Sequence, residues 1–301
     1  MSDAADDALE GARDDAVAGS GRRPVPERAA GGALPLRVEV ARQLSRRRTR
    51  WVGVLVVALP LLLVGAFALG GEDDPADTST SFVDLATSSA VNFAVIALLA
   101  ASGFLFVVLV SLFAGDTVAA EASWSSLRYL LAAPVGRRRL LAVKAVVAAA
   151  SSTLGIVAFI AVCLVVGAVA YGWGPLTSPL GDALGAWQAL GRLGLATAYV
   201  VVQLSWVGAL AFWLGTRTDA PLGAVGGAVL ANILSAILAS ITALGDLRAW
   251  LPTYDAGAWT ALLQPAVVWD DMVRGLSTSL ALAVVFGVLA VVGFERKDVT
   301  S

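Results

Sequence analysis

Six apolar runs, at about residues 51–70, 91–114, 140–170, 193–215, 222–244 and 276–294, constrain this chain more than any other feature. Each can cross a hydrocarbon core of about 30 Å, which takes roughly 20 helical residues. The runs are continuously apolar rather than alternating, so they predict helices and not the strands of a barrel. The expected fold class is an all-α integral membrane protein with six transmembrane helices. Composition agrees: of 301 residues, 58% are hydrophobic and 15% charged, and the mean hydropathy is +0.79. Soluble domains carry roughly 25% charged residues.

The segments between the runs set the organisation. Residues 1–33 are polar, without apolar periodicity, and are expected to form a disordered cytoplasmic tail. Arg22-Arg23 is followed by Pro24-Val25-Pro26-Glu27 and not by an apolar stretch, which argues against an export signal. Residues 34–301 are expected to form the transmembrane domain. It opens with "LPLRVEVARQLSRRRTR" (34–50), where Leu36, Val40 and Leu44 share one helical face and arginines cover the other. That pattern predicts an N-terminal amphipathic helix in the membrane interface.

Basic residues set the orientation. They concentrate before the first run and in 115–144, with Arg217, Arg296 and Lys297 on the same side, whereas the 71–90 connection has no Lys or Arg. The positive-inside rule then puts both termini in the cytoplasm, as six spans require. The third run is long, so its first turns are expected in the interface, with Lys144 snorkelling outward. Arginine far outnumbers lysine, which is present only as Lys144 and Lys297, and alanine, glycine and valine are abundant. This bias suggests a GC-rich prokaryotic source, and so a multi-pass protein of a prokaryotic plasma membrane.

Several chemistries find no support. Histidine is absent and Cys163 is the only cysteine, so the usual zinc and haem ligands and an intrachain disulfide are missing. No G-x-x-x-x-G-K-[ST] occurs, so no Walker A loop can bind ATP here. Asp270-Asp271 is an adjacent acidic pair at a span end without other ligands nearby in sequence, which suits interfacial solvation better than catalysis. The run interiors offer Asn92, Gln203 and Asn232 but no clear central charge, which argues against proton coupling. Gln203 and Asn232 are candidates to line a substrate path, or to hydrogen-bond between helices. Gly223 and Gly227 form a G-x-x-x-G that would permit close helix approach. The 245–275 connection holds Trp250, Tyr254, Trp259 and Trp269, suited to headgroup depth.

One cytoplasmic segment stands apart, "EASWSSLRYLLAAPVGRRRLLAVK" at 121–144. Trp124, Leu127, Arg128 and Leu131 follow i, i+3, i+4, i+7 spacing, which predicts a short surface helix ended by Pro134. Arg137, Arg138 and Arg139 mark the headgroup level. An interfacial loop anchored by arginines accounts for the same pattern. The segment resembles the E-x-E-x-G-T-L-x-x-L-L-x-x-P-V-x-R connection of type-2 ABC transporter permeases, with Glu121, Leu127, Leu130, Leu131, Pro134, Val135 and Arg137 in register. It departs from that form at Ser123 and Ser125-Ser126. The ending "GFERKDVTS" is similar to the family's close.

The resemblance covers roughly residues 34–301 and implies the permease subunit of an exporter, with no enzymatic activity of its own. It implies that Glu121, Trp124, Leu127, Arg128, Pro134 and Arg137 form a coupling helix between spans 2 and 3 that docks on a separate ABC ATPase subunit. ATP and Mg would sit on that partner, leaving this chain without a cofactor. A second permease subunit, identical or related, would complete the pathway, with membrane lipids around it and no nucleic acid involved. In the family the 245–275 region often forms short re-entrant helices that close the outer end. The alternatives are a secondary transporter and a non-transporting membrane scaffold.

Overall fold

The computed structural model describes residues 43, 47–70, 82–123, 137–177, 183–218, 220–264 and 266–295. The expected tail 1–33 and nearly all of the expected amphipathic helix 34–50 lie outside the described residues. The described residues are mostly helical, as the apolar runs predict. Helix α1 spans Arg47–Gly70. A short α2 (Phe82–Thr87) leads to α3 (Ala90–Ser102) and α4 (Leu105–Ser123). Helix α5 (Arg137–Tyr171) is followed by a two-stranded antiparallel hairpin, β1 (Leu176–Thr177) and β2 (Ala183–Leu184). Helices α6 (Ala186–Gln203) and α7 (Ser205–Arg217) are nearly continuous through Leu204. Helix α8 (Pro221–Ser240) gives way to 3₁₀ segments at Thr242–Trp250 and Ala258–Leu263, and α9 (Asp270–Glu295) closes the described chain.

Five helical stretches are long and apolar enough to cross a membrane: α1, α5, the α6–α7 pair, α8 and α9. The second apolar run does not form one straight span. Helices α3 and α4 meet at a 58° bend, so a sixth crossing exists only if the bent pair counts as one. The break falls at Ser102-Gly103, where the Ser102 hydroxyl donates to the Leu99 carbonyl at 3.0 Å. Serine–glycine pairs are a recognised cause of sharp kinks, because glycine costs helix stability and a back-bonding hydroxyl competes for carbonyls. Span ends also move: the fourth run is helical from Ala186, the fifth stops at Ser240 and the sixth starts at Asp270.

The apolar faces meet in one core. Phe106 on α4 and Phe159 on α5 are edge-to-face at 5.3 Å, and Phe93 on α3 lies between Phe67 on α1 and Tyr171 on α5. A close helix approach brings α7 onto α4, where a Cβ on Gly215 would collide with the Gly115 carbonyl oxygen. The G-x-x-x-G of α8 serves this purpose at one of its two positions: a Cβ on Gly227 would meet Leu214 Cδ1 of α7 at 2.9 Å, whereas one on Gly223 would meet nothing nearer than Ala220 Cβ at 3.8 Å.

The two ends of the bundle differ in charge. One gathers the start of α5 with Arg138 and Arg139, the end of α7 with Arg217 and the end of α9. Arg217 lies against Gly293 there. Helix α1 runs toward Phe93 and Tyr171 at its far end, so Arg47 and Arg48 start it on this basic side. The opposite end carries Asp84, Asp246, Asp255, Asp270 and Asp271 against Arg192, Arg248 and Arg274. Lys144 does not snorkel. It is 2% exposed, as α4 packs over this part of α5, and Asp116 on α4 is buried at the same end.

Candidate functional site

A groove of about 590 Å³ runs along α5 between α4, the α6–α7 pair and α9. Short side chains make up much of its lining, among them Ala145, Ala148 and Ala149 on α5, Gly208 on α7, and Ala283 and Gly287 on α9, with larger residues such as Leu141, Ile156, Phe212 and Leu280 between them. A Cβ on Gly287 would meet nothing within 4 Å. Helices α5 and α9 touch over only a short stretch, and the small residues leave the space between them unfilled. Polar groups are few. Ser152 donates to the Ala148 carbonyl at 2.9 Å, whereas the Ser205 hydroxyl is buried without a hydrogen-bond partner.

Arg138 lines the basic end of the groove. Its guanidinium forks onto the Glu295 carboxylate: Nε donates to Oε1 and Nη2 to Oε2, the latter at 3.1 Å. This ion pair ties the start of α5 to the end of α9.

The acidic end is covered by the 242–264 segment, which is fastened from several helices. Arg274 on α9 forks onto Asp255, with Nε to Oδ2 at 2.8 Å and Nη2 to Oδ1 at 2.6 Å, and also reaches Asp271 at 2.8 Å. Tyr199 on α6 donates to the Asp255 carbonyl at 2.6 Å. Arg192 donates to the carbonyls of Leu262 and Gln264. Arg248 and Arg274 each lie over the Tyr254 ring, at 5.5 and 5.4 Å. Trp259 and Leu262 fill the space beneath, each 1% exposed. The aromatic-rich connection is thus built into the fold as short 3₁₀ turns, and Asp271 of the acidic pair is engaged by Arg274.

The residues singled out by sequence fall in two places. Glu121 is in the last turn of α4 and Arg137 is the first residue of α5, both at the basic end. Trp124, Leu127, Arg128 and Pro134 lie outside the described residues. Gln203 and Asn232 are buried, but neither lines the groove. Gln203 Nε2 donates to the Pro252 carbonyl at 2.9 Å, and Ser235, one turn from Asn232, bonds Thr253 at 2.7 Å. Both helices therefore contribute polar groups near or onto the covering segment. The groove itself was missed. Its signal was present in "AVKAVVAAASST", a row of small residues at helical spacing along α5. The Arg274–Asp255 pair had no local signal, being 19 residues apart in sequence.

Among the described residues no group of three or more potential metal ligands occurs. Residues 54–300 match the family model described as "Protein of unknown function (DUF2705)". No curated protein matches the chain.

Proposed function

We propose, starting from the premise that this chain belongs to the DUF2705 family of proteins of unknown function, that it is the membrane-spanning subunit of an ATP-driven ABC exporter. One observation carries the reading. The segment that resembles the type-2 ABC coupling element joins α4 to α5, and those two helices are also walls of the groove. A partner pushing on that segment would act on two helices that are walls of the groove. The covered acidic end and the basic end then correspond to the outer and cytoplasmic sides, as basic residues favour the cytoplasmic face.

In this reading the chain is not itself an enzyme. A separate ABC ATPase binds ATP and Mg, and a second permease subunit, identical or related, completes the pathway in a prokaryotic plasma membrane. Glu121 would contact the ATPase, with Trp124, Leu127, Arg128, Pro134 and Arg137 shaping and anchoring the surface helix. Gln203 acts at the covered end, fastening it through the Pro252 carbonyl, and Asn232 is buried in α8 one turn from Ser235, which bonds the same cover.

The test begins with the tagged chain purified in mild detergent, which is expected to bring down an ATPase. Glu121→Ala should lower ATPase binding or substrate-stimulated hydrolysis by about tenfold or more, since losing one partner of a desolvated pair costs about 2–5 kcal/mol. Normal stimulated hydrolysis in that variant, or transport by the chain alone, overturns the coupling role.

A further inference from the structure

We infer that the small-residue groove between α5 and α9 binds a single-chain amphiphile with an anionic head, and that Arg138 selects it by exchanging Glu295 for the ligand's head group. This names a substrate class for the groove and, as a statement about transport, rests on the reading above.

The groove supplies the apolar half. Its volume of about 590 Å³ falls within the roughly 300–1,000 Å³ typical of small-molecule sites. From Arg138 to Ile156 its lining runs along α5 for a helical rise of about 27 Å, at 1.5 Å per residue. That is a long, narrow apolar slot with a charge at one end only. The open space beside Gly287 and the slight contact between α5 and α9 leave its flank accessible from the hydrocarbon.

Charge complementarity supplies the other half. Arg138 stands in the first turn of α5 and Glu295 is the last residue of α9. Each sits at the wrong end of its helix dipole, which favours anions at N-termini and cations at C-termini. The Arg138 side chain is 77% exposed and that of Glu295 33%, so an incoming head group can reach the guanidinium from water, and an anion that reproduces the bidentate fork can replace the Glu295 carboxylate. An incoming carboxylate or phosphate monoester would meet the same guanidinium fork, the neighbouring exposed Arg139 and the favourable dipole of α5. The apolar tail then lies along the alanine row. Removing the tail removes most of the buried area, and removing the charge removes the reason to leave bulk lipid.

The experiment uses the full chain in nanodiscs of a zwitterionic two-chain lipid, with a palmitate analogue carrying a mid-chain diazirine as the probe. Crosslinks are expected on groove residues such as Ala145, Ala149 and Ala283. Excess palmitate should compete, whereas hexadecanol and hexadecyltrimethylammonium should not. Arg138→Gln should lower labelling by at least about tenfold, the scale of a charge-assisted pair, and Glu295→Gln should raise it. Both variants break the same ion pair, so a purely structural tie would make them behave alike. Like behaviour of the two, labelling spread over the lipid-facing sides of α1 and α8, or equal competition by the cationic, the neutral or a two-chain anionic lipid would each overturn the assignment. No ATPase is present, so failure here leaves the coupling role to be decided by Glu121→Ala.

Discussion

Asp255 shows how much one side chain can carry in this protein. It is 7% exposed, accepts both arms of the Arg274 fork, and offers its carbonyl to Tyr199. Asp271 accepts from the same arginine but is 61% exposed. Hydrogen bonds to a charged group contribute about 1.5–3 kcal/mol when shielded, and exposed pairs about 0–1 kcal/mol. Asp255→Asn should therefore lower the apparent melting temperature in detergent clearly, and Asp271→Asn hardly at all. Equal shifts would mean that the 242–264 segment is not held by burial of this pair. The residue identities were visible in the sequence, but their partners were not. Lys144 illustrates the limit: its place near a span end suggested snorkelling, and only the packing of α4 over α5 shows it buried.

At the level of elements, the contact between α4 and α7 is set by glycine. A methyl group on Gly215 would run into the Gly115 backbone, which cannot swing aside as a side chain can. Gly215→Ala should cost about 1–3 kcal/mol, the usual scale of overpacking. Gly226 has nothing within 4 Å of a Cβ and lies in helix, so Gly226→Ala should gain about 0.5–1 kcal/mol from helix propensity. Thermal unfolding of the two variants in one detergent compares them directly; the opposite order would rule out glycine-mediated packing of these helices. The sequence pattern pointed to Gly223 and Gly227 because spacing within one helix is readable, whereas Gly115 and Gly215 form a pair only after the chain has folded. The bend between α3 and α4 is similar. An apolar run of that length reads as one span, and the Ser102-Gly103 break allows a kink without setting its angle.

For the whole molecule, the segregation of charge leads to an orientation that can be measured. Cys163 is fully buried and is the only cysteine, so the native chain offers a blank background to a membrane-impermeant maleimide. A cysteine introduced at Thr80 should react from outside intact cells. One introduced at Arg139 should react only after permeabilisation. The reverse pattern would invert the orientation and place the 121–144 segment on the wrong side for the proposed contact with a cytoplasmic ATPase.

The sequence by itself determined the helical membrane class, the approximate positions of the spans and the unequal charge of the two ends. These are sums of local terms: the transfer free energy of a run and the count of arginines in a connection depend on neighbours along the chain. Only the tertiary structure decided where the bundle is filled and where it is left open. The groove exists because small residues on α5, α7 and α9 face one another. Its mouth exists because residues 138 and 295 meet across 157 positions, and the cover holds because α6, α8 and α9 converge on 242–264. Each is a pairing between distant segments, and such pairings have no local energy for a sequence pattern to report.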